Sequence, residues 1–328
     1  MKLATLKDGT PDGRLIVVST NGRRAVEATG FAPNLITALQ QWDRVCPALR
    51  VLSSQLDAGV IAHSFEFDPR VANAPLPRSP QWIDASAFLN HGRLMEIAFK
   101  SHPIANIDTI PVMYQGASDD FLGPCDDVLL PSEDDGIDFE GEFGVITGPV
   151  PMGASPEEGF AAIRLIVLIN DWSLRALGLR ELKSGFGFLQ AKPSTSFAPI
   201  AVTPDELGSS WRDGRVQMRL SVNRNNERMG EPHGSEMNFS FGQLVAHAAR
   251  SRRLTTGCII GSGTVSNISR QAGSACIAER RVIEKIDEGE SRTEFMRFGD
   301  HVTMQALYDD GREGPFGIIE QRVVAYRR

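Results

Sequence analysis

Two glutamates separated by one glycine, Glu140 and Glu142, stand inside the run Gly136-Ile137-Asp138-Phe139-Glu140-Gly141-Glu142-Phe143-Gly144-Val145-Ile146. Side chains alternate across a strand, so Phe139, Phe143 and Val145 face one way while Glu140 and Glu142 face the other. Their Cα atoms are then about 7 Å apart. Left alone, two such carboxylates repel. A hard divalent cation between them reverses the sign of that interaction. The competing reading is a solvent-facing strand whose glutamates only confer solubility, since exposed charged faces are common. Asp171 adds a third carboxylate, at the end of the apolar run Val167-Leu168-Ile169-Asn170-Asp171. A rigid strand end suits a ligand, which must be held to a fraction of an ångström. The alternative there is a helix N-cap for the chain from Trp172 onward. Carboxylates without a nearby Cys or His favour Mg²⁺, Ca²⁺ or Mn²⁺ over zinc.

The elements that must carry these residues belong to a chain of 328 residues with 41% hydrophobic and 23% charged content. That balance excludes a mostly disordered chain, and the length predicts about two domains. A polar, proline-bearing stretch around Asp68, Pro69, Pro75, Pro77 and Pro80 predicts a boundary near residue 78. Residues 1–78 read as a small α+β domain, with strands at Leu3–Leu6 and Leu15–Ser19 and a helix from about Asn34 to Gln55. Residues 79–328 read as the larger unit. Ser155-Pro156-Glu157-Glu158 has the capping-box order and predicts a short helix feeding the strand Leu165–Ile169. Asn223 to Asn226 reads as a hairpin turn, Ser240 as the start of a helix, and Val302–Leu307 and Ile318–Val324 as closing strands. Short strands at irregular intervals with few helices predict an α+β class with mostly antiparallel sheet.

Thirty-four Lys and Arg against 41 Asp and Glu give a net charge of −7. A net acidic surface repels phosphate backbones, so a nucleic-acid partner is not expected. The densest apolar run, Phe160 to Ile169, is too short to cross a membrane and carries Arg164. No membrane partner is expected either. Without a signal-peptide pattern, and with Cys46, Cys125, Cys258 and Cys276 lacking CxxC spacing, the expectation is a cytoplasmic chain with reduced thiols.

The blocks GIDFEGEFGVITG, LINDWSLR, QAKPSTSFAP and GCIIGSGTVSN, in that order, resemble the fumarylacetoacetate hydrolase family over roughly residues 75–328. Upstream, QWIDASAFLNH and PVMYQGASDDFLGP look like the bacterial fumarylacetoacetases. The resemblance implies a β-roll catalytic domain with short helices, a homodimer, and a divalent cation held by Asp84, Glu140, Glu142 and Asp171. It implies His91 as the base that activates water, Glu279 as the acid that orients it, and Lys192 beside the scissile carbonyl. Arg175, Lys100, Tyr114 and Thr264 match positions that contact substrate oxygens. Arg175 follows Asp171 by four residues, one helical turn if that stretch is helical. In place of the family's glutamine and tyrosine the chain has Gly178 and Leu182. Gly261-Ser262-Gly263-Thr264 lacks the spacing of a nucleotide-binding loop.

The implied reaction is hydrolysis of a carbon–carbon bond in a dicarboxylate 1,3-diketone, giving fumarate and acetoacetate, as in tyrosine and phenylalanine breakdown through homogentisate. Related activities on the same scaffold are acylpyruvate hydrolysis, oxaloacetate decarboxylation and dienoate isomerisation. A metal-stabilised binding module without catalysis is the non-enzymatic alternative.

Overall fold

The structure is a computed structural model and describes residues 1–99 and 103–327. It is an α+β architecture in which a large, mostly antiparallel sheet packs against a smaller one. Among the described residues the large sheet runs Phe65–Glu66, Arg24–Glu27, Arg14–Val18, Lys2–Leu6, Ala201–Val202, Ile163–Asn170, Gly141–Thr147, Ile259–Gly261, Trp82–Ala85, Met113–Gly116. Only Ile259–Gly261 and Trp82–Ala85 pair in parallel along this path. The smaller sheet runs Glu227–Gly230, Arg219–Arg224, His301–Leu307, Glu313–Ala325, Val128–Leu130. Lys2–Leu6 pairs with Ala201–Val202, so the sheet is continuous between the first 78 residues and the rest.

Local chemistry accounts for the helix starts and the tight turn. Ser155 and Glu158 form a reciprocal capping box on the helix Pro156–Ala161, and Ser240 with Gln243 does the same for Phe241–Ala248. Asn225 and Asn226 both have positive φ, at 50° and 67°, which lets the two-residue turn follow the twist of the strands it joins. The helix expected over Asn34–Gln55 is two helices, Leu35–Gln40 and Trp42–Asp57, which meet at Gln41. Asn34 caps the first through the Thr37 amide. A single apolar stripe could not reveal the break, because both pieces bury it against the same sheet face: Leu35, Leu39, Val45 and Leu49 pack with Leu165, Val167 and Ile169.

Gly141–Thr147 lies near the middle of the large sheet and both of its faces are buried. Phe143 and Val145 share a core with Leu220, Val222, Met304 and Ile319 of the smaller sheet. Ile146 points the opposite way, into the core under the N-terminal helices, and Glu142 shares its face. The solvent-facing alternative for this strand is therefore excluded. Asp84 lies two strands away, beyond Ile259–Gly261. Its carboxylate can pass over that intervening strand because the residue there is Gly261. A Cβ at Gly261 would sit 2.4 Å from Asp84 Oδ1 and 2.4 Å from the Trp82 ring.

Overpacking of this kind costs about 1–3 kcal/mol, so Gly261→Ala should lower the urea midpoint correspondingly. An unchanged midpoint would mean that Asp84 and Trp82 step aside freely and that the glycine is not what admits the carboxylate.

Candidate active site

Asp84, Glu142 and Asp171 offer carboxylate oxygens that all lie within 4.8 Å of one another, and all three residues are buried. Three elements deliver them. Asp84 is in the strand Trp82–Ala85, Glu142 is the second residue of Gly141–Thr147, and Asp171 is the first residue past Ile163–Asn170. The register fixes their proximity, since Glu142 pairs with Ile169 and Gly141 with Asn170. Asp171 caps no helix: Ser173–Leu174 is a short strand and the helix begins at Arg175. Arg175 is thus not one helical turn from Asp171, but reaches the same site across the Ser173–Leu174 bridge.

The three acids are not equally provided with donors. Asp171 Oδ2 accepts from Lys192 Nζ at 2.5 Å and from the Tyr114 hydroxyl at 2.5 Å, and its Oδ1 accepts from Thr195 Oγ1 at 2.8 Å. Asp84 Oδ1 accepts from the Gly263 amide at 3.0 Å. Among the described residues, neither carboxylate oxygen of Glu142, both buried, has a donor. A buried carboxylate in that state is strongly unfavourable unless it takes a proton or a cation. Burial, and then the charges of Asp84 and Asp171, push the Glu142 carboxyl well above the ordinary glutamate value. Burial and the Asp171 charge push Asp84 up to about 7. Orphaned oxygens facing two further carboxylates, with no thiolate or imidazole among them, fit a hard divalent cation.

Glu140 is close by but differently engaged. Its two oxygens meet Arg175 Nη2 at 2.5 Å and Lys192 Nζ at 2.9 Å. Burial raises its carboxyl pKa, yet the two cations outweigh burial and hold it well below the usual range. Lys192 in turn is kept protonated: burial opposes its charge, and Asp171 and Glu140 more than offset that. The strand is interrupted between Asp138 and Gly141, so Glu140 leaves the regular ladder and bridges to Cys276 instead. The structure therefore brings Asp84, Glu142 and Asp171 together and sets Glu140 beside them as the acid that holds two cations.

His91 Nδ1 lies 2.9 Å from Glu279 Oε2, in a buried contact between positions far apart in the chain. His91 is the third residue of the helix Leu89–Phe99. Asn238 accepts from the Leu89 amide, and the Asn90 side chain donates to Ser266 and Asn267. Glu279 is the third residue of the helix Ile277–Glu288, not part of a strand. The two helices pack through Leu94, Met95, Ala278 and Val282. In the tautomer where Nδ1–H donates to Glu279, Nε2 is the ring nitrogen left to accept a proton, as a base requires.

His91, Asp84, Glu140, Lys192, Tyr114 and Thr264 all line one cavity of about 500 Å³. The Thr264 hydroxyl is buried without a partner among the described residues. Arg175 lines it too, but its guanidinium is committed to Asp138 and Glu140. Lys100 lies outside the described residues. Leu182 is at the cavity wall, and the space beside Gly178 is open enough that a Cβ would meet nothing nearer than Ala191 at 3.7 Å.

Sequence reasoning missed Asp138 and Thr195. Asp138 is fully buried; it accepts the amides of Ile277 and Ala278 at 2.7 and 2.9 Å and Arg175 Nε at 2.8 Å. It caps the helix that carries Glu279 while holding Arg175. A third acid two residues before Glu140 was the available signal, but its partners come from distant segments.

A family model described as fumarylacetoacetate (FAA) hydrolase C-terminal matches residues 81–324, and one described as fumarylacetoacetase N-terminal domain 2 matches residues 1–78. Among curated proteins, the 2,4-didehydro-3-deoxy-L-rhamnonate hydrolase of Sphingomonas sp. (strain SKA58) is 28% identical over 181 residues, covering 53% of this chain and 61% of that protein. A mitochondrial oxaloacetate tautomerase of Rattus norvegicus is 24% identical over 157 residues, covering 47% and 48%. Both matches span less than two thirds of the relative's length. The fumarylacetoacetate hydrolase of Exiguobacterium antarcticum superposes with a TM-score of 0.67 at 17% identity, covering 99% of this chain and 100% of that one. A maleylpyruvate hydrolase of Sphingobium sp. SYK-6, solved with manganese(II) and pyruvate, gives 0.66 at 15% with full coverage of both chains. The sheet that gathers the three acids is thus a shared fold, its relatives include hydrolases and tautomerases, and with the family model spanning most of its length this chain belongs to the fumarylacetoacetate hydrolase family.

Proposed function

We propose that this chain is a divalent-cation-dependent hydrolase that splits the carbon–carbon bond of a 1,3-diketone, with fumarylacetoacetate as substrate and fumarate and acetoacetate as products. The observation that carries this reading is the buried His91–Glu279 contact, whose histidine lines the same cavity as Asp84 of the acid triad, Glu140 and Lys192. Water activation for hydrolysis requires a general base, and an imidazole oriented by a carboxylate supplies one; the same base moves a C–H proton in a tautomerase, so turnover separates the two. Asp84, Glu142 and Asp171 would hold the cation, Mg²⁺, Ca²⁺ or Mn²⁺, which supplies Lewis acidity toward a chelating diketone and its enolate.

In this reading His91 Nε2 takes a proton from water, and the resulting hydroxide adds to the carbonyl carbon on the fumaroyl side. The Lys192 ammonium lies beside the developing oxyanion; a preorganised donor of this kind contributes about 3–4 kcal/mol. Collapse restores the carbonyl as a carboxyl group and sends the bonding pair to the carbon of the acetoacetate half, which then takes the proton from His91. Glu279 keeps the imidazole in one tautomer throughout and steadies its charged form. Arg175 acts indirectly, holding Glu140 ionised so that Lys192 stays charged. Thr264 is the unpaired donor available to a substrate carboxylate.

The deciding experiment is a panel of fumarylacetoacetate, acylpyruvates and oxaloacetate, assayed before and after chelation and again after metal is returned. One fumarate per fumarylacetoacetate consumed, lost on chelation and restored by add-back, is the expected result. Oxaloacetate tautomerisation with no bond cleavage would move the chain to the tautomerases, and inertness toward every substrate would leave a binding module.

His91→Ala should lower kcat by about 10²–10⁴-fold while leaving the dissociation constant for metal nearly unchanged. Parallel loss of both would make His91 a ligand or a structural residue.

Asp84 and Glu142 have folded-state carboxyl pKa values above those of the unfolded chain, so the folded form binds the extra protons. Their contribution is present at low pH and is lost as pH rises through about 7, the Asp84 value. Glu140 and Glu284 shift the other way, but their contribution is already complete above about pH 5. His247, lowered by burial and then by Arg250, opposes the trend within this range, but it is a single, partly exposed group set against two buried acids. Chelated protein should therefore melt at a lower temperature at pH 8 than at pH 5.5, added divalent cation should remove the difference, and Glu142→Gln should shrink it. A chelated protein that melts higher at pH 8 would contradict the repulsion argument.

A further inference from the structure

Glu181 lies on the helix Arg175–Ser184, away from the three acids, and nothing in the proposed reaction uses it. Its carboxylate accepts three consecutive backbone amides of the segment that follows the helix: Leu189 at 2.9 Å and Ala191 at 3.1 Å on Oε2, and Gln190 at 2.8 Å on Oε1. The next residue is Lys192. The carbonyl of the same residue, Ala191, accepts from the Leu174 amide at 2.8 Å. Ala191 is thus fixed through both backbone groups, by the first and second halves of the segment that also presents Arg175.

The loop between the helix and Ala191 has little else to hold it. Gly185 and Gly187 sit at positive φ, 76° and 94°, and Phe186 and Leu189 are 99% and 83% exposed. Besides the Glu181 contacts, its backbone hydrogen bonds among the described residues run only to the helix end, from Gly185 to Leu182 and from Phe186 to Ser184. Yet this loop supplies part of the site. Gly187 and Phe188 line the cavity, and the Phe188 ring meets Tyr114 edge-on with centroids 5.2 Å apart. Tyr114 donates to Asp171, and Lys192 Nζ stands 5.2 Å from the Tyr114 ring centroid.

We propose that Glu181 is a positioning residue: its carboxylate clamps the Gly185–Ala191 loop and thereby holds Lys192 and the Phe188–Tyr114 pair against the carboxylate centre. This rests on the role given to Lys192 in the proposed reaction, but the clamp itself is a statement about backbone and ammonium position that does not depend on turnover. One carboxylate accepting three charge-assisted bonds can order a loop that buries almost nothing. A glutamine keeps one acceptor oxygen and turns an N–H group toward the amides. An alanine keeps none.

The test compares the full chain with Glu181→Gln, Glu181→Ala and, as a control on the exposed loop surface, Phe186→Ser. Four readouts are taken: amide hydrogen exchange over residues 185–192, the rate of Lys192 acetylation by acetic anhydride resolved by peptide mass, titration with Mn²⁺, and steady-state kinetics with the turned-over substrate. In Glu181→Ala, exchange at Leu189, Gln190 and Ala191 and acetylation at Lys192 should each rise by about tenfold or more. The dissociation constant for divalent cation should stay unchanged, and kcat should fall by about 10²-fold with a smaller change in KM, as expected for a misplaced reacting group. Glu181→Gln should fall between, and Phe186→Ser should match the wild type. Exchange or Lys192 acetylation at the wild-type rate in Glu181→Ala overturns the clamp, as does full kcat in an enzyme whose wild type turns over. A wild type inert toward every substrate counts against the reaction, not the clamp, and the exchange and acetylation readouts then decide the clamp alone.

Discussion

Mutual repulsion among buried carboxylates is the constraint around which this molecule is arranged. Asp84, Glu142 and Asp171 converge to within 4.8 Å, Glu140 and Asp138 stand close by, and the cations that meet them are Lys192 and Arg175. Such a group is tolerable only if each charge is met by a donor, a proton or a metal ion. Among the described residues Asp171 has three side-chain donors and Glu140 has two cations, whereas Glu142 has none. The deficit is therefore greatest at one residue, in a buried strand near the middle of the sheet. A ligand position is best kept there, because neighbouring strands on both sides fix the backbone.

The rest of the site follows from how the cations are shared. Arg175 links Asp138 to Glu140, and Asp138 also caps the helix on which Glu279 holds His91. The carboxylate centre and the histidine pair are thus joined by a chain of direct contacts. Lys192 bridges Glu140 and Asp171 and faces the cavity. It is held from its N-terminal side by the amides that Glu181 accepts, and shortly after it Thr195 is tied to Asp171. The glycines are part of the same design: Gly261 lets Asp84 cross a strand, and Gly263 brings a backbone amide to its carboxylate.

Some of this was legible in the sequence and some was not, for identifiable reasons. Strand alternation around Phe143 placed Glu142 on the correct face, and the end of an apolar run marked Asp171, because both signals are local. The capping boxes at Ser155 and Ser240 and the Asn225-Asn226 turn were readable for the same reason. Asp84, His91 and Glu279 came only through family resemblance, since their meeting depends on strand order and on the packing of two helices from distant parts of the chain. The divergence of Glu140 from Glu142 was hidden because the ladder breaks between Asp138 and Gly141, a tertiary effect of the bridge to Cys276. Asp138 and Glu181 look like ordinary acids in sequence, and their weight comes from the backbone amides they accept.

If one dication resolves the charge deficit at Glu142, titration calorimetry with Mn²⁺ on chelator-treated protein at pH 6.5, run in two buffers of different ionisation enthalpy, should show one ion per chain. Protons should be released on binding, because burial and neighbouring carboxylates keep Asp84 and Glu142 partly protonated in the metal-free protein. Absence of saturable binding at millimolar Mn²⁺, or stoichiometric binding that survives replacement of both Glu142 and Asp84 by their amides, would contradict a dication at Glu142.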